Sequence, residues 1–316
     1  MRRFLQMLSL FVLIQGLILA AILACSSPDR QGMLSANLDK RHRLLTAAPP
    51  RLVLVGGSSV AYGFDSPALE QRLGLRVVNL GLHAGLGLDY ILADAQSVQK
   101  GDTVILAVEY NHCFTDQTQW SLVVQALTLE PAVLKDFRGR QFLGLLDHGL
   151  ALVSLQMKGV GGWKHGDAMV LRAQFNEQGD VISRPADRPR WVPDPLQPVE
   201  ETAFEQRALP ATFSRAVAAL NAFDRTCAQR GARVFFFYAP RPRPIWQAEF
   251  YERIDRELRR RLIFPILNHP VDEFYPLSEI YDTPSHLTAA GAEERTTHLI
   301  QCLNSLDKTR TPKATP

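Results

Sequence analysis

Ser58 stands where a nucleophile would be useful. It follows the apolar run Arg51-Leu-Val-Leu-Val55 and the pair Gly56-Gly57. Such a run reads as a buried strand, and two glycines let the chain turn sharply at the strand's carboxyl end. Ligands in open α/β sheets bind at that end. Far along the chain, Tyr281-Asp282-Thr-Pro-Ser-His286-Leu287 precedes a helical pattern. An imidazole there can take a hydroxyl proton, and a carboxylate four residues earlier can orient it through the Pro284 turn. Acyl transfer through an activated serine is the chemistry these types permit. The loop after Val77-Val-Asn79 reads Leu-Gly81-Leu-His83-Ala84-Gly85-Leu-Gly87 and is rich in glycine. The strand Thr103–Val108 runs into Glu109-Tyr110-Asn111-His112.

Rival motifs fail on spacing. Gly56, Gly57 and Gly63 do not make Gly-x-Gly-x-x-Gly, and no Lys-Ser/Thr follows Gly63 as a phosphate loop requires. Val60 stands where a Gly-x-Ser-x-Gly elbow needs its last glycine. His83, His112-Cys113 and Asp116 lack the spacing of a metal ligand set, and neither metal nor cofactor is expected. Ser59 remains a second candidate nucleophile. Each singled-out residue also has a structural reading: Ser58 as a turn residue, Asp282 and Asn111 as turn and cap, His286 as a helix-entry residue.

The elements that must position these groups are strand, helix, strand, helix, strand between 51 and 108, the pattern of a parallel sheet with crossovers. Ser66-Pro67 reads as a helix start and Gly74 as its stop. A second helix covers about Tyr90 to Gln99. Leu122, Val123 and Leu127, then Phe142, Leu145 and Leu146, give helical periodicity over 120–173. The Pro-rich stretch 176–210 is too long for a plain connection and reads as a cover or, by preference, a mobile insert. The α/β pattern resumes with a helix Thr212–Gln229, a β run Ala232–Tyr238, an amphipathic helix Ile245–Arg260, a short apolar Leu262–Leu267 and a last helix from about Ala289 to Leu306. Trp191 is expected in packing or loop contacts, like Trp163-Lys164-His165. The basic face of Glu252–Arg261 is expected to be solvated.

Taken together, the four segments resemble the SGNH (GDSL-like) hydrolases over about 51–306, and more closely the membrane-anchored bacterial branch. That branch holds the D-alanyl transfer protein of teichoic acid modification and enzymes that O-acetylate exported polysaccharides. The resemblance rests on strand-Gly-Gly57-Ser58 with Gly63 five residues on, on the 79–87 loop, on Asn111, and on Asp282…His286-Leu287. It departs from the family pattern in four places: Gly57 stands for the first block's Asp, Glu109 for the third block's Gly, His112 for its Asp, and Asp282 is four rather than three residues before His286. It implies a three-layer α/β/α, flavodoxin-like fold. It implies Ser58 as nucleophile, His286 as base and Asp282 as its partner. The oxyanion donors would be the Ser58 N–H, the Ala84 or Gly85 N–H, and Asn111. The expected function is an acyl esterase or acyltransferase acting on a cell-envelope ester or glycan. The alternative is a catalytically silent module of that fold, binding glycan or serving as a scaffold.

Composition sets the outer limits. Of 316 residues, 46% are hydrophobic and 21% charged, the balance of a globular protein. Lys+Arg 35 against Asp+Glu 32 gives +3, so no basic field marks nucleic acid as a partner. The four cysteines are too sparse for a disulfide scaffold, and Cys113, Cys227 and Cys302 read as small buried hydrophobes. Oligomeric state is unreadable. At the N-terminus Arg2-Arg3 precede Phe4–Cys25, uncharged throughout. As a helix that segment would be about 33 Å long, enough for a hydrocarbon core of about 30 Å. A signal anchor, a lipoprotein signal with Cys25 as the acylated residue, and a secretory signal all remain open over 1–27, with the signal anchor preferred. Each puts the rest of the chain outside the cytoplasm. Residues 28–50 read as a polar spacer and 307–316 as a disordered tail.

Overall fold

The computed structural model describes residues 2–25, 30–115, 118–137, 139, 141–145, 147–148, 170–184, 190–193 and 211–310. Four parallel strands form the central sheet: β1 (Arg51–Val55), β2 (Arg76–Asn79), β3 (Thr103–Leu106) and β4 (Arg233–Phe236), in the order β2-β1-β3-β4. Val53 faces Val78 on one neighbour and Val104 on the other. A single parallel bridge from Phe236 to Ile266 stands at the outer edge, where the sequence suggested a fifth apolar segment.

Successive strand side chains point to opposite faces, and this sheet is covered on both. Val53, Val55, Val104, Leu106 and Phe236 join one core with α5 (Gly87–Asp94), α8 (Ala211–Gln229) and α9 (Ala248–Arg261). Leu52, Leu54, Ile105, Phe235 and Phe237 join another with α4 (Ser66–Leu73) and α10 (Ala289–Arg310). Burial on both faces explains why the strands read as unbroken apolar runs rather than as alternating ones. The chain moves from β1 outward to β2, then back across β1 to β3. The strand order therefore reverses between β1 and β3, and their carboxyl ends flank the crevice where such sheets bind ligands.

Several boundaries differ from expectation. The cap of α4 is Asp65, whose carboxylate accepts the Ala68 N–H at 3.0 Å, and Ser66 is the first helical residue. Gly74 ends the helix with φ +67°, as its glycine predicted. The helix α7 (Trp120–Leu129) carries the first part of the 120–173 periodicity; α3 (Ser58–Ala61) and α6 (Asn111–Phe114) are single turns. The last helix extends to Arg310, so 307–310 are helical rather than tail. Cys113 and Cys227 are buried and unbridged, and Cys302 is half-buried. Trp163, Lys164, His165 and most of the 185–210 stretch lie outside the described residues.

The spacer expected over 28–50 is corrected most. Ala36–Thr46 is a helix, α2, packed on the sheet layer through Leu44. Its polar composition concealed this because the buried groups are charges with partners. Arg41 meets Asp94 at 2.8 Å, Arg43 meets Glu70 at 2.7 Å, and Lys40 Nζ donates to the carbonyls of Asn79, Gly81 and Gly179. Arg51 and Asp102, both fully buried, pair at the foot of β1, and the Arg51 guanidinium also reaches the Leu44 carbonyl.

Residues 170–184 are likewise part of the body. Asp180 is buried and accepts from the Ser66 hydroxyl at 2.6 Å, the Ser66 N–H at 2.7 Å and the Asn79 side-chain amide at 2.7 Å. The Val181 N–H donates to the Ala61 carbonyl at 2.9 Å. The proline pattern gave no sign of these bonds, so the mobile-insert reading does not hold for 176–184. At the other end of the chain, α1 (Arg2–Cys25) is a helix with Phe4, Met7, Phe11 and Leu17 exposed. Among the described residues no helix is long and apolar enough to cross a membrane.

Candidate active site

Three loops leave the carboxyl ends of β1, β2 and β3, and the first of them packs on the 281–287 turn through Tyr62. In the first, Gly56 approaches the β3 end so closely that an added Cβ would lie 2.5 Å from the Ala107 carbonyl oxygen. That close approach is what the glycine supplies. Ser58 starts α3 and is half-buried; Ser59 behind it is fully buried, with its carbonyl bound by Arg295 at 3.1 Å. Accessibility therefore favours Ser58 over Ser59 as nucleophile. Among the described residues neither the Ser58 N–H nor its hydroxyl is bonded to protein, while the N–H groups of Gly57 and Ser59 on either side are both taken.

The 281–287 turn delivers the imidazole. His286 Nδ1 lies 2.7 Å from Asp282 Oδ1. The Tyr281 N–H donates to the His286 carbonyl and the His286 N–H to the Thr283 carbonyl, and this tight turn takes up the extra residue between acid and base. The His286 ring stacks on Tyr62 with centroids 4.0 Å apart and planes 9° apart. Tyr62 follows Ser58 by one helical turn, its N–H bonded to the Ser58 carbonyl at 3.0 Å. Arg184 fastens the two loops together, donating to the Tyr62 carbonyl at 2.9 Å and the Leu287 carbonyl at 3.0 Å. Ser58 and His286, more than two hundred positions apart, thus sit on adjoining loops at one edge of the sheet.

In the second loop Ala84 and Gly85 differ. The Gly85 N–H donates to His83 Nδ1 at 2.9 Å and is committed there, so the Ala84 amide is the better oxyanion candidate. Lys40 holds this loop from beneath through Asn79 and Gly81. Burial pulls the Lys40 pKa down to about 7, while the nearby Asp180 and Asp94 carboxylates oppose that fall. Burial also lowers the pKa of His83; Glu109 raises it and His286 lowers it further, an electrostatic sign that these groups are close together. Asn111 opens α6 at the end of the third loop, and its backbone carbonyl accepts the Thr115 N–H.

Glu109 and His112 belong to the site in a way the sequence did not reveal. Glu109 accepts the Ser59 N–H at 2.9 Å and the Gly57 N–H at 3.1 Å. His112 Nδ1 stands 3.3 Å from Glu109 Oε2 without a hydrogen bond between them, and Nε2 lies 2.9 Å from the Ala84 carbonyl. An added Cβ on Gly57 would fall 2.4 Å from Glu109 Oε1. The signal was present as two separate departures from the family pattern, a missing acid at 57 and an unexpected one at 109. In space they are one, because the Glu109 carboxylate occupies the room a side chain at 57 would need. Among the described residues no group of His, Cys, Asp and Glu is arranged to hold a metal.

No protein-family model matches this chain, and no curated protein matches it. One solved structure, from Streptococcus pneumonia and provisionally named a platelet activating factor, aligns over 86% of this chain and 92% of its own. The identity is 12% and the TM-score 0.41, too distant to carry an argument about either fold or function.

Proposed function

We propose that the domain is a serine esterase or acyltransferase working through an acyl-enzyme on Ser58. The observation that carries this reading is the Asp282–His286 pair, stacked on Tyr62 one helical turn from Ser58. With Nδ1–H donated to Asp282, His286 keeps Nε2 as the atom that handles protons. Ser58 Oγ attacks the ester carbonyl as Nε2 takes its proton. The tetrahedral oxyanion is met by the N–H groups of Ser58 and Ala84 and the amide of Asn111. Collapse breaks the ester C–O bond, and Nε2–H protonates the leaving alcohol. Water or an acceptor alcohol then attacks the acyl-enzyme, giving its proton to Nε2, and Ser58 leaves with that proton restored.

The proposed substrates are acyl esters of the cell envelope, glycan or lipid. This rests on the likeness of the four segments to the anchored bacterial branch and on α1, whose outward apolar side chains suit a lipid environment better than water. The export-signal pattern of Arg2-Arg3 before the uncharged Phe4–Cys25 motivates placing the domain outside a bacterial cytoplasm, and detergent-dependent extraction of the full chain would check its attachment to the membrane. The function itself is tested with a serine-directed fluorophosphonate. Wild-type protein should be labelled and Ser58→Ala should not. Folded wild-type protein that resists labelling would favour the silent, glycan-binding or scaffolding module.

A further inference from the structure

Glu109 and His112 lie off the proposed proton path yet touch both loops beside the nucleophile. Glu109 is 4% exposed. Its two oxygens hold the amides of Gly57 and Ser59, one on each side of Ser58. The peptide planes that orient the Ser58 N–H and Oγ are therefore tied to one carboxylate. His112 extends the tie to the second loop, with Nε2 2.9 Å from the carbonyl of Ala84. The candidate oxyanion amide belongs to that same residue.

The protonation state of His112 follows from its partners. A carbonyl oxygen only accepts, so Nε2 carries a hydrogen. Nδ1 stands 3.3 Å from Glu109 Oε2 without hydrogen-bond geometry, so the carboxylate favours a proton there through its charge. The imidazolium is the form that suits both neighbours. Burial opposes that charge, but the Glu109 carboxylate outweighs it and raises the His112 pKa. Burial likewise opposes ionisation of Glu109, yet His112 and the Ser59 amide bring its pKa down to about 2. Other charged or titratable groups stand near. Asp89 and Arg215 line the cleft that His112 borders, and His83 lies close enough to Glu109 to sense its charge.

We propose that Glu109 and His112 form a positioning unit for acyl transfer, a buried ion pair that holds the Ser58 loop against the Ala84 loop and lets go when His112 loses its proton. The proposal rests on the acyl-enzyme reading above. Neutral His112 can keep its bond to the Ala84 carbonyl but loses the charge attraction to Glu109, so the two loops uncouple at alkaline pH.

The test is the rate constant of fluorophosphonate labelling from pH 5 to 10, with NMR titration of the His112 ring, in wild type, Glu109→Gln and His112→Gln. Glu109→Gln should slow labelling of the folded protein roughly 10- to 100-fold, the scale of a small misplacement at a reacting centre. It should also lower the midpoint at which His112 titrates. Wild-type labelling should decline on the alkaline side at the pH where the His112 ring titrates, and both variants should lack that decline. If Glu109→Gln does not fold, His112→Gln carries the same expectation, since a neutral amide donates to only one of the two partners in that geometry. Wild-type rates in the folded variants, or a wild-type His112 that titrates below its ordinary value, would overturn the proposal while leaving the acyl-enzyme reading intact. Wild-type protein that is not labelled at all would remove that reading and the proposal with it.

Discussion

Two acid–imidazole pairs flank the turn that carries Ser58, the proposed nucleophile, built from nearly the same parts. Asp282 and His286 are four residues apart, Glu109 and His112 three, and all four side chains are almost completely buried. What separates them is the second nitrogen. His286 gives Nδ1 to Asp282 and turns its ring face to Tyr62, an arrangement suited to a base whose Nε2 exchanges protons. His112 has the Ala84 carbonyl bonded at Nε2 and the Glu109 carboxylate 3.3 Å from Nδ1, so a proton lost from it weakens one of the two contacts. The comparison teaches that an acid–His spacing does not distinguish a base from a strut. The partner of the remaining nitrogen does.

The comparison breaks first at the nucleophile. Ser58→Ala should lower kcat on the order of 10⁶-fold on any accepted ester if the triad acts as a unit. Ser59→Ala should label at nearly the wild-type rate, because that hydroxyl is buried. Equal losses from both would dissolve the assignment. Next is the carboxylate behind the base. Asp282→Asn, which keeps the shape but misdirects the His286 proton, should cost about 10⁴-fold in kcat. A loss no larger than that of Glu109→Gln would mean that the two pairs do the same work.

Stability against pH sharpens the contrast between base and strut. A carboxylate with a depressed pKa adds stability that is present above its ordinary range and disappears as pH falls through the folded value, about 2 for Glu109. A histidine with a raised pKa adds stability present below its ordinary value and lost as pH rises through the raised one. The Tm difference between wild type and Glu109→Gln should therefore form a plateau between those limits and shrink at both ends. Breaking a buried pair costs about 3–5 kcal/mol on that plateau. A difference independent of pH would mean that Glu109 acts by packing alone. The smallest effect is expected beneath the second loop. Lys40→Met should leave three buried carbonyls without their donor, each at about 1–3 kcal/mol, partly offset because an ammonium need no longer be buried, read as a lower denaturation midpoint. If labelling falls more than stability does, Lys40 also sets the position of the Ala84 amide.

Much of the site was legible because it depends on short stretches of chain. Strand, Gly56-Gly57 and Ser58 form one continuous statement about where a nucleophile could stand, and the structure keeps them in that relation. His286 and Asp282 were readable as a pair despite the added residue, since a turn of two hydrogen bonds absorbs it. The choice between Ala84 and Gly85 was not readable, because it turns on the ring of His83 capturing one amide. Glu109 was visible only as a mismatch, its purpose hidden until Gly57 lay against it. The polar helix α2 and the Asp180 hub escaped for another reason. Hydropathy cannot tell a charge facing water from a buried charge whose partners come from distant segments.

The sequence by itself determined the parallel α/β order, the apolar strands, the glycine turn before Ser58 and the apolar character of the first helix. These follow from backbone freedom and side-chain polarity within a few residues. Only the tertiary structure decided that the His286 ring stacks on Tyr62 beside the Ser58 turn, that Glu109 fills the place beside Gly57, and that His112 stands between Glu109 and the Ala84 carbonyl. Those outcomes depend on distances between groups far apart along the chain, and no local preference encodes them.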